Sequence, residues 1–159
     1  MRFTIVSVGK IKERYIKEGV SDYTTRLRPD ITLEYIEGLE EKTPPGPTES
    51  QINFVIEKEG RKILNQLREG DYLIALDSHG RSMDSEALAE TIETLLPRGY
   101  SRIVFAIGGS HGLSREVTSR ADLILSLSQL TFLHQMTVLI LLEQIYRSFK
   151  IIKGEPYHK

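Results

Sequence analysis

Apolar positions along the chain follow two periods, and the switches between them divide it into elements. Phe3 to Val8 (FTIVSV) is β-branched and mostly apolar and stops at Gly9, which predicts a strand. From there Ile11, Tyr15, Ile16, Tyr23 and Leu27 recur on a loose helical period that ends before Pro29, with Gly19 placed to bend or break the helix. Ile31, Leu33, Tyr35 and Ile36 suggest a second strand. The stretch GLEEKTPPGPTES reads as a loop, in which Thr48 or Ser50 caps a helix from Ile52 to Leu67.

The second half is more apolar. Tyr72 to Leu76 (YLIAL) is a continuous apolar run, the pattern of a strand buried on both faces. Asp77-Ser78-His79-Gly80 is expected to turn it. Asp84 or Ser82 then caps a helix through Leu88, Ile92, Leu95 and Leu96 that Pro97 and Gly99 close. Ile103 to Ile107 is the next buried strand, Ser114 caps a short helix (REVTSRA), and Leu123 to Leu125 returns to the sheet. A last helix runs from about His134 to Lys150. Strands alternating with helices imply an α/β fold, a mostly parallel sheet flanked by helices on both faces. Its length, 159 residues, suits a single domain over 1–159.

Composition narrows the chemistry. With no cysteine, disulfides, thiolate metal sites and cysteine nucleophiles are excluded. The N-terminal MRFTIVSVGKIKERY lacks the apolar core of a signal peptide, and no apolar stretch reaches the roughly 20 residues of a membrane span. The expectation is a soluble, cytoplasmic protein with no membrane partner. Net charge is −1, so no general basic coat announces a nucleic acid. Locally, however, Lys10, Lys12, Arg14, Lys17, Arg26 and Arg28 outnumber Glu13, Glu18 and Asp22. Such a run is either a solvated helix face or a surface for a phosphate backbone.

In open α/β sheets ligands bind beyond the C-terminal ends of the strands. Three segments are expected to converge there: Leu76 to Gly80, Ile107 to Gly112, and the loop Leu125 to His134 (LSLSQLTFLH). The last has no glycine, proline or charge, which implies burial, and a buried loop must find partners for its N–H and C=O groups. A flat apolar ligand with donors and acceptors, such as adenine, would meet that need; so would packing on the protein's own core. GGSHG fits neither G-x-G-x-x-G nor a P-loop, and Ser110 lacks the G-x-S-x-G elbow of a nucleophile. His79, His111, His134 and His158 show no i,i+4 pairing, so a metal site is not expected. A non-catalytic nucleotide- or RNA-binding module, or a small hydrolase built on Ser110 and His111, remains as an alternative use of the same crevice.

YLIALDSHG, AIGGSHGL, SLSQLTFLHQM, VLILLEQIYRSFKII and KGEPYHK, in this order and spacing, together with the N-terminal FTIVSVGKIK, resemble the ribosomal large subunit methyltransferase H family of SPOUT methyltransferases. The resemblance spans essentially the whole chain. It implies a SPOUT α/β knot fold with a C-terminal trefoil knot, acting as a homodimer; strand and helix patterning alone would give an unknotted sheet. It also implies S-adenosylmethionine-dependent methylation of N3 of a pseudouridine in a 23S rRNA stem-loop of the assembled ribosome. Cofactor contacts would come from Leu76, Gly108, Leu127, Ser128, Gln129, Leu130, Thr131 and Phe132. Substrate-side or catalytic roles would fall to His134, Arg147, Tyr157 and His158, with the general base left open among them. No metal is implied, since a sulfonium already makes its methyl electrophilic. One departure stands out: Leu133 occupies a position where the family commonly has proline before the histidine, which softens the start of the last helix.

Overall fold

The computed structural model describes residues 1–157. In chain order the elements are β1 (Arg2–Ser7), α1 (Arg14–Leu27), β2 (Thr32–Ile36), α2 (Glu49–Leu64), β3 (Asp71–Ser82), α3 (Ser85–Leu95), β4 (Arg102–Ile107), α4 (Arg115–Arg120), β5 (Leu123–Ser126) and α5 (His134–Ile152). The sheet has the order β2-β1-β4-β3-β5, and every pairing is parallel.

Alternating side chains from the strands feed two cores. Phe3, Ile5, Ile74, Ile103, Phe105 and Ile107 pack with Leu141, Ile145 and Phe149 of α5 and with α1 and α3. Val6, Val8, Leu73, Val104 and Ala106 face the other way, onto Ile63 of α2 and Val117 of α4. Each such large apolar side chain contributes about 1.5–3 kcal/mol relative to exposure. Phe3 bridges sheet and helix, its ring 5.8 Å from Phe105 and 6.1 Å from Phe149.

Local signals decide most boundaries. Thr48 is the cap of α2: its hydroxyl accepts from the Gln51 amide and the Gln51 side chain accepts from the Thr48 amide, a complete capping box that starts the helix three residues before Ile52. Asp84 caps α3 and Ser114 caps α4. Gly19 neither bends nor breaks α1; a Cβ there would lie 2.8 Å from Leu139 Cδ1, so the glycine admits α5 against α1. The expected helical turn from Ile11 is absent, because the Lys12 and Glu13 amides donate to Gln135 Oε1 (2.6 and 3.0 Å) instead.

The expected turn at Asp77–Gly80 is not a strand end. β3 continues to Ser82, and Leu125 pairs first with Leu76 and then with Arg81, so the four intervening residues bulge out of a strand that resumes beside β5. Asp77 Oδ1 accepts from the His79 amide (2.8 Å) within the bulge. A Cβ at Gly80 would come within 2.8 Å of the Ile124 backbone, so the return is close.

Candidate functional site

Parallel register aligns the C-terminal ends of four strands. Ser7 pairs with Ile107, Ile107 with Leu76, and Leu76 with Leu125, one continuous row at the rim where the chain leaves the sheet. The three segments expected to converge therefore do so. Ser126 Oγ lies 3.1 Å from both the Ser78 and the Ser128 carbonyls, tying the β3 bulge to the loop after β5.

The glycine turn follows β4 directly. Gly112 donates its amide to the Gly109 carbonyl (3.1 Å) and adopts φ +84°, a conformation that glycine takes without strain. A Cβ on Gly108 would lie 2.6 Å from the Gly112 carbonyl carbon. The glycine at 108 is therefore required by closure of its own turn, and not only by the approach of a ligand. Behind the turn stands Glu59 of α2, 6% exposed, whose Oε1 accepts the Glu41 amide (3.0 Å). Burial raises its carboxyl above the ordinary value, against the opposing pull of the Glu41 hydrogen bond.

The loop carrying Leu127, Ser128, Gln129, Leu130, Thr131 and Phe132 differs from expectation. Leu127 packs on the main core and Phe132 is half-buried, but Gln129, Leu130 and Thr131 are exposed, Leu130 at 72%. Leu130 thus stands off the chain's own core, while Leu127 is packed on it. Among the described residues, the Leu130 amide to Ser128 Oγ (3.0 Å) is the one hydrogen bond made by residues 129–132. Amides at 129, 131 and 132 beside apolar side chains, in the loop that leaves β5 at the rim where β3 and β4 also end, form a donor set that suits an adenine-bearing ligand.

The candidate catalytic residues fall into two groups at opposite ends of α5. His134 opens the helix. Its ring lies where a Cβ of Gly9 would be, and its Nε2 is 3.1 Å from the Lys10 carbonyl. That bond places a hydrogen on Nε2 and leaves Nδ1 as the lone-pair nitrogen of the neutral ring. Thirteen residues on, about 20 Å along the helix axis, Arg147 donates to Glu143 (Nε 3.0 Å, Nη2 2.5 Å) and lies 4.8 Å from the centre of the Tyr157 ring. Tyr157 Oη donates to Glu143 Oε1 (3.3 Å) and sits 3.4 Å from Tyr23 Oη, with its ring edge-on to Tyr146 at 4.9 Å. The Tyr23 hydrogen bond, burial and the Glu143 charge all push the Tyr157 phenol up, so it keeps its proton. Hydrogen bonding to Glu143 likewise raises Arg147. His158 lies outside the described residues.

Two features escaped the sequence reading. Gln135, 5% exposed, supplies the acceptor that the start of α1 lacks, for Glu13 offers no side-chain cap. Only the i+1 neighbour of a candidate histidine could have hinted at it. Ser7 Oγ, fully buried in the rim row, has no hydrogen-bond partner among the described residues. Among the described residues no group of three or more acidic, histidine or cysteine side chains could hold a metal, and no helix is long and apolar enough to cross a membrane.

Comparison with known proteins agrees with this architecture. The chain is 50% identical over all 159 residues, the full length of both, to a ribosomal RNA large subunit methyltransferase H of Halothermothrix orenii, and 49% identical over the same span to that of Clostridioides difficile. A probable methylase family protein from Haemophilus influenzae superposes with a TM-score of 0.55 at 13% identity, covering 99% of this chain and 70% of that one, which supports the fold. A family model described as predicted SPOUT methyltransferase matches residues 1–158, and the chain accordingly belongs to the SPOUT methyltransferases.

Proposed function

We propose that the protein methylates N3 of a pseudouridine in a 23S rRNA stem-loop of the assembled ribosome, with S-adenosylmethionine as methyl donor. The observation that carries this reading is the convergence of Leu76, Gly108 and the donor-rich loop 127–132 at one rim, in a chain half identical to full-length relatives named for rRNA methylation. A cytoplasmic homodimer with a C-terminal trefoil knot belongs to the same reading.

The loop amides and the apolar residues beside them would hold the adenine moiety. The bound donor supplies a methyl group on a sulfonium, and the protein's task is to align the acceptor nitrogen behind it, the kind of positioning that can supply several kcal/mol. The imide N–H must also lose its proton, a step to which a placed base contributes roughly 10²–10⁴-fold. Tyr157 and Arg147 hold their protons too firmly to act as that base. The role falls to a histidine, His134 through Nδ1 or His158, while Arg147 grips a phosphate or a developing imide oxyanion.

A second copy of the chain resolves the distance between the two groups. Arg147 lies about 20 Å along α5 from His134, where the loop 127–132 enters the helix, so a partner's tail would complete the site. Tyr15, Leu130 and Leu133, three of the exposed large apolar side chains, belong to segments tied together by His134 and Gln135 and offer a contact for that partner. Calorimetry with S-adenosylmethionine checks the first requirement: binding is expected below millimolar concentration, and its absence there sinks the methyltransferase reading. Sedimentation should give a dimer; a monomer that transfers methyl groups at full rate would remove the shared site.

A further inference from the structure

Cations on and around α1 differ in what they meet. Arg14 and Arg26 each pair with a carboxylate four residues away, Glu18 and Asp22, at 2.8 Å. Lys10, Lys12, Lys17 and Arg28 make no ion pair among the described residues. Since the whole chain carries a net charge of −1, a general excess of cations does not explain four unpaired ones in nineteen residues.

Their placement is regular. Lys17 and Arg28 are eleven residues apart, three helical turns and about 16 Å, so they lie on one stripe of α1. Between them the stripe carries hydroxyls, Ser21 and Thr24. It borders a groove of about 360 Å³ between α1 and the edge strand β2, with Ile11, Val20 and Tyr35 supplying apolar surface. Thr24 Oγ1 donates to the Val20 carbonyl (2.6 Å) and so receives the Tyr35 hydroxyl (2.7 Å), which fixes the ring. Burial pushes the Tyr35 phenol up to about 12, so the groove gains no charge from it. Among the described residues Glu37 is the one carboxylate on the lining. Next to it Gly38, at φ +79°, leaves the space that Lys10 Cε occupies, which holds a third cation's side chain against the residue that follows Glu37.

The Lys10 carbonyl also holds His134 Nε2. The groove therefore begins where the candidate site ends and runs away from it along α1. Cations spaced along a line, with hydroxyls and apolar surface between them, match a sugar-phosphate chain better than a compact ligand. We propose that this groove, through Lys10, Lys17 and Arg28, is the track that seats the backbone of the RNA substrate flanking the methylated base. The inference rests on the reading above that the substrate is rRNA. Specificity would remain with the site, since phosphate contacts set register and orientation.

Charge-matched variants separate a local track from net charge. Lys17→Gln/Arg28→Gln removes two unpaired cations, and Arg14→Gln/Arg26→Gln removes two paired ones from the same helix. Each is bound to ribosomes lacking the modification over 50–200 mM salt, and each is assayed for methyl transfer and S-adenosylmethionine affinity. Two lost phosphate contacts should lower the slope of log K against log salt by about 1.4–1.8 and weaken binding about 25- to 60-fold near 0.1 M salt. KM for ribosomes should rise with kcat and donor affinity unchanged, and Arg14→Gln/Arg26→Gln should stay near wild type. A wild-type slope in Lys17→Gln/Arg28→Gln, or equal losses in both double variants, overturns the track. If the unaltered protein transfers no methyl group to ribosomes, the rRNA reading falls and the track with it.

Discussion

Leu133, at the position where the resemblance leads one to expect proline, holds a backbone conformation that proline also adopts. Its backbone sits at φ −58°, ψ 134°, and its carbonyl accepts the Thr137 amide to start α5. Proline fixes φ within about 15° of −65° and has no N–H, and the Leu133 amide makes no hydrogen bond among the described residues. The side chain is 55% exposed, so little packing is lost. Leu133→Pro should therefore raise stability by roughly 0.4–1 kcal/mol, read as a higher denaturant midpoint at constant m. Gly108 is the opposite case. With its Cβ position 2.6 Å from the Gly112 backbone, Gly108→Ala should cost about 1–3 kcal/mol and weaken S-adenosylmethionine binding in calorimetry. Unchanged affinity would detach the turn from the donor site. That glycine was legible from its place after an apolar run, but the reason for it was not: the sequence shows that bulk is excluded, and only the closed turn shows that Gly112 excludes it.

At the scale of elements, periodicity located every strand and α-helix of the described residues but not the 3-10 turn Leu96–Arg98 after α3, and the misjudged boundaries have physical causes. α2 starts early because Thr48 and Gln51 complete a capping box. α1 starts late because its first amides bond across to α5. No local pattern could reveal that second tie, since Gln135 lies more than 120 residues from its partners. Gln135→Ala leaves two half-buried amides without an acceptor and should cost about 1–3 kcal/mol. Hydrogen exchange should localise the loss to residues 10–16 and the first turn of α5. The bulge at Asp77–Gly80 was read as a turn because turn residues and bulge residues are the same types; only the register with β5 tells them apart.

For the molecule as a whole, the end of the sheet opposite the site is anchored by a buried ion pair. Arg102 Nε donates to Asp71 Oδ1 (3.0 Å), its Nη2 pairs with Oδ2 and donates to the Gln66 carbonyl (2.8 Å), and the Arg68 amide also reaches Asp71 (2.8 Å). Burial alone would raise the Asp71 carboxyl, but the Arg102 and Arg68 hydrogen bonds and the Arg102 charge outweigh it and hold the group below its ordinary value. Because the folded value is depressed, its contribution is present above the unfolded value, about 3.9, and is lost as pH falls through the folded one. Asp71→Ala strands the Arg102 charge and should cost about 3–5 kcal/mol, or roughly 6–20 °C of melting temperature. The acid-side loss of stability should shrink in a charge-free pair such as Asp71→Leu/Arg102→Met. The other end of the sheet is built differently, with exposed Leu130 and Leu133 and loop amides that have no hydrogen-bond partner among the described residues. Under the proposed function a ligand completes that surface, and sequence could name the ligand only through resemblance. The central claim is methyl transfer to rRNA, and the direct measurement is mass mapping of 23S rRNA in ribosomes lacking the modification, incubated with the protein and S-adenosylmethionine. One added methyl group on the stem-loop pseudouridine is the result expected; RNA left unmethylated by a protein that binds the donor would contradict the account.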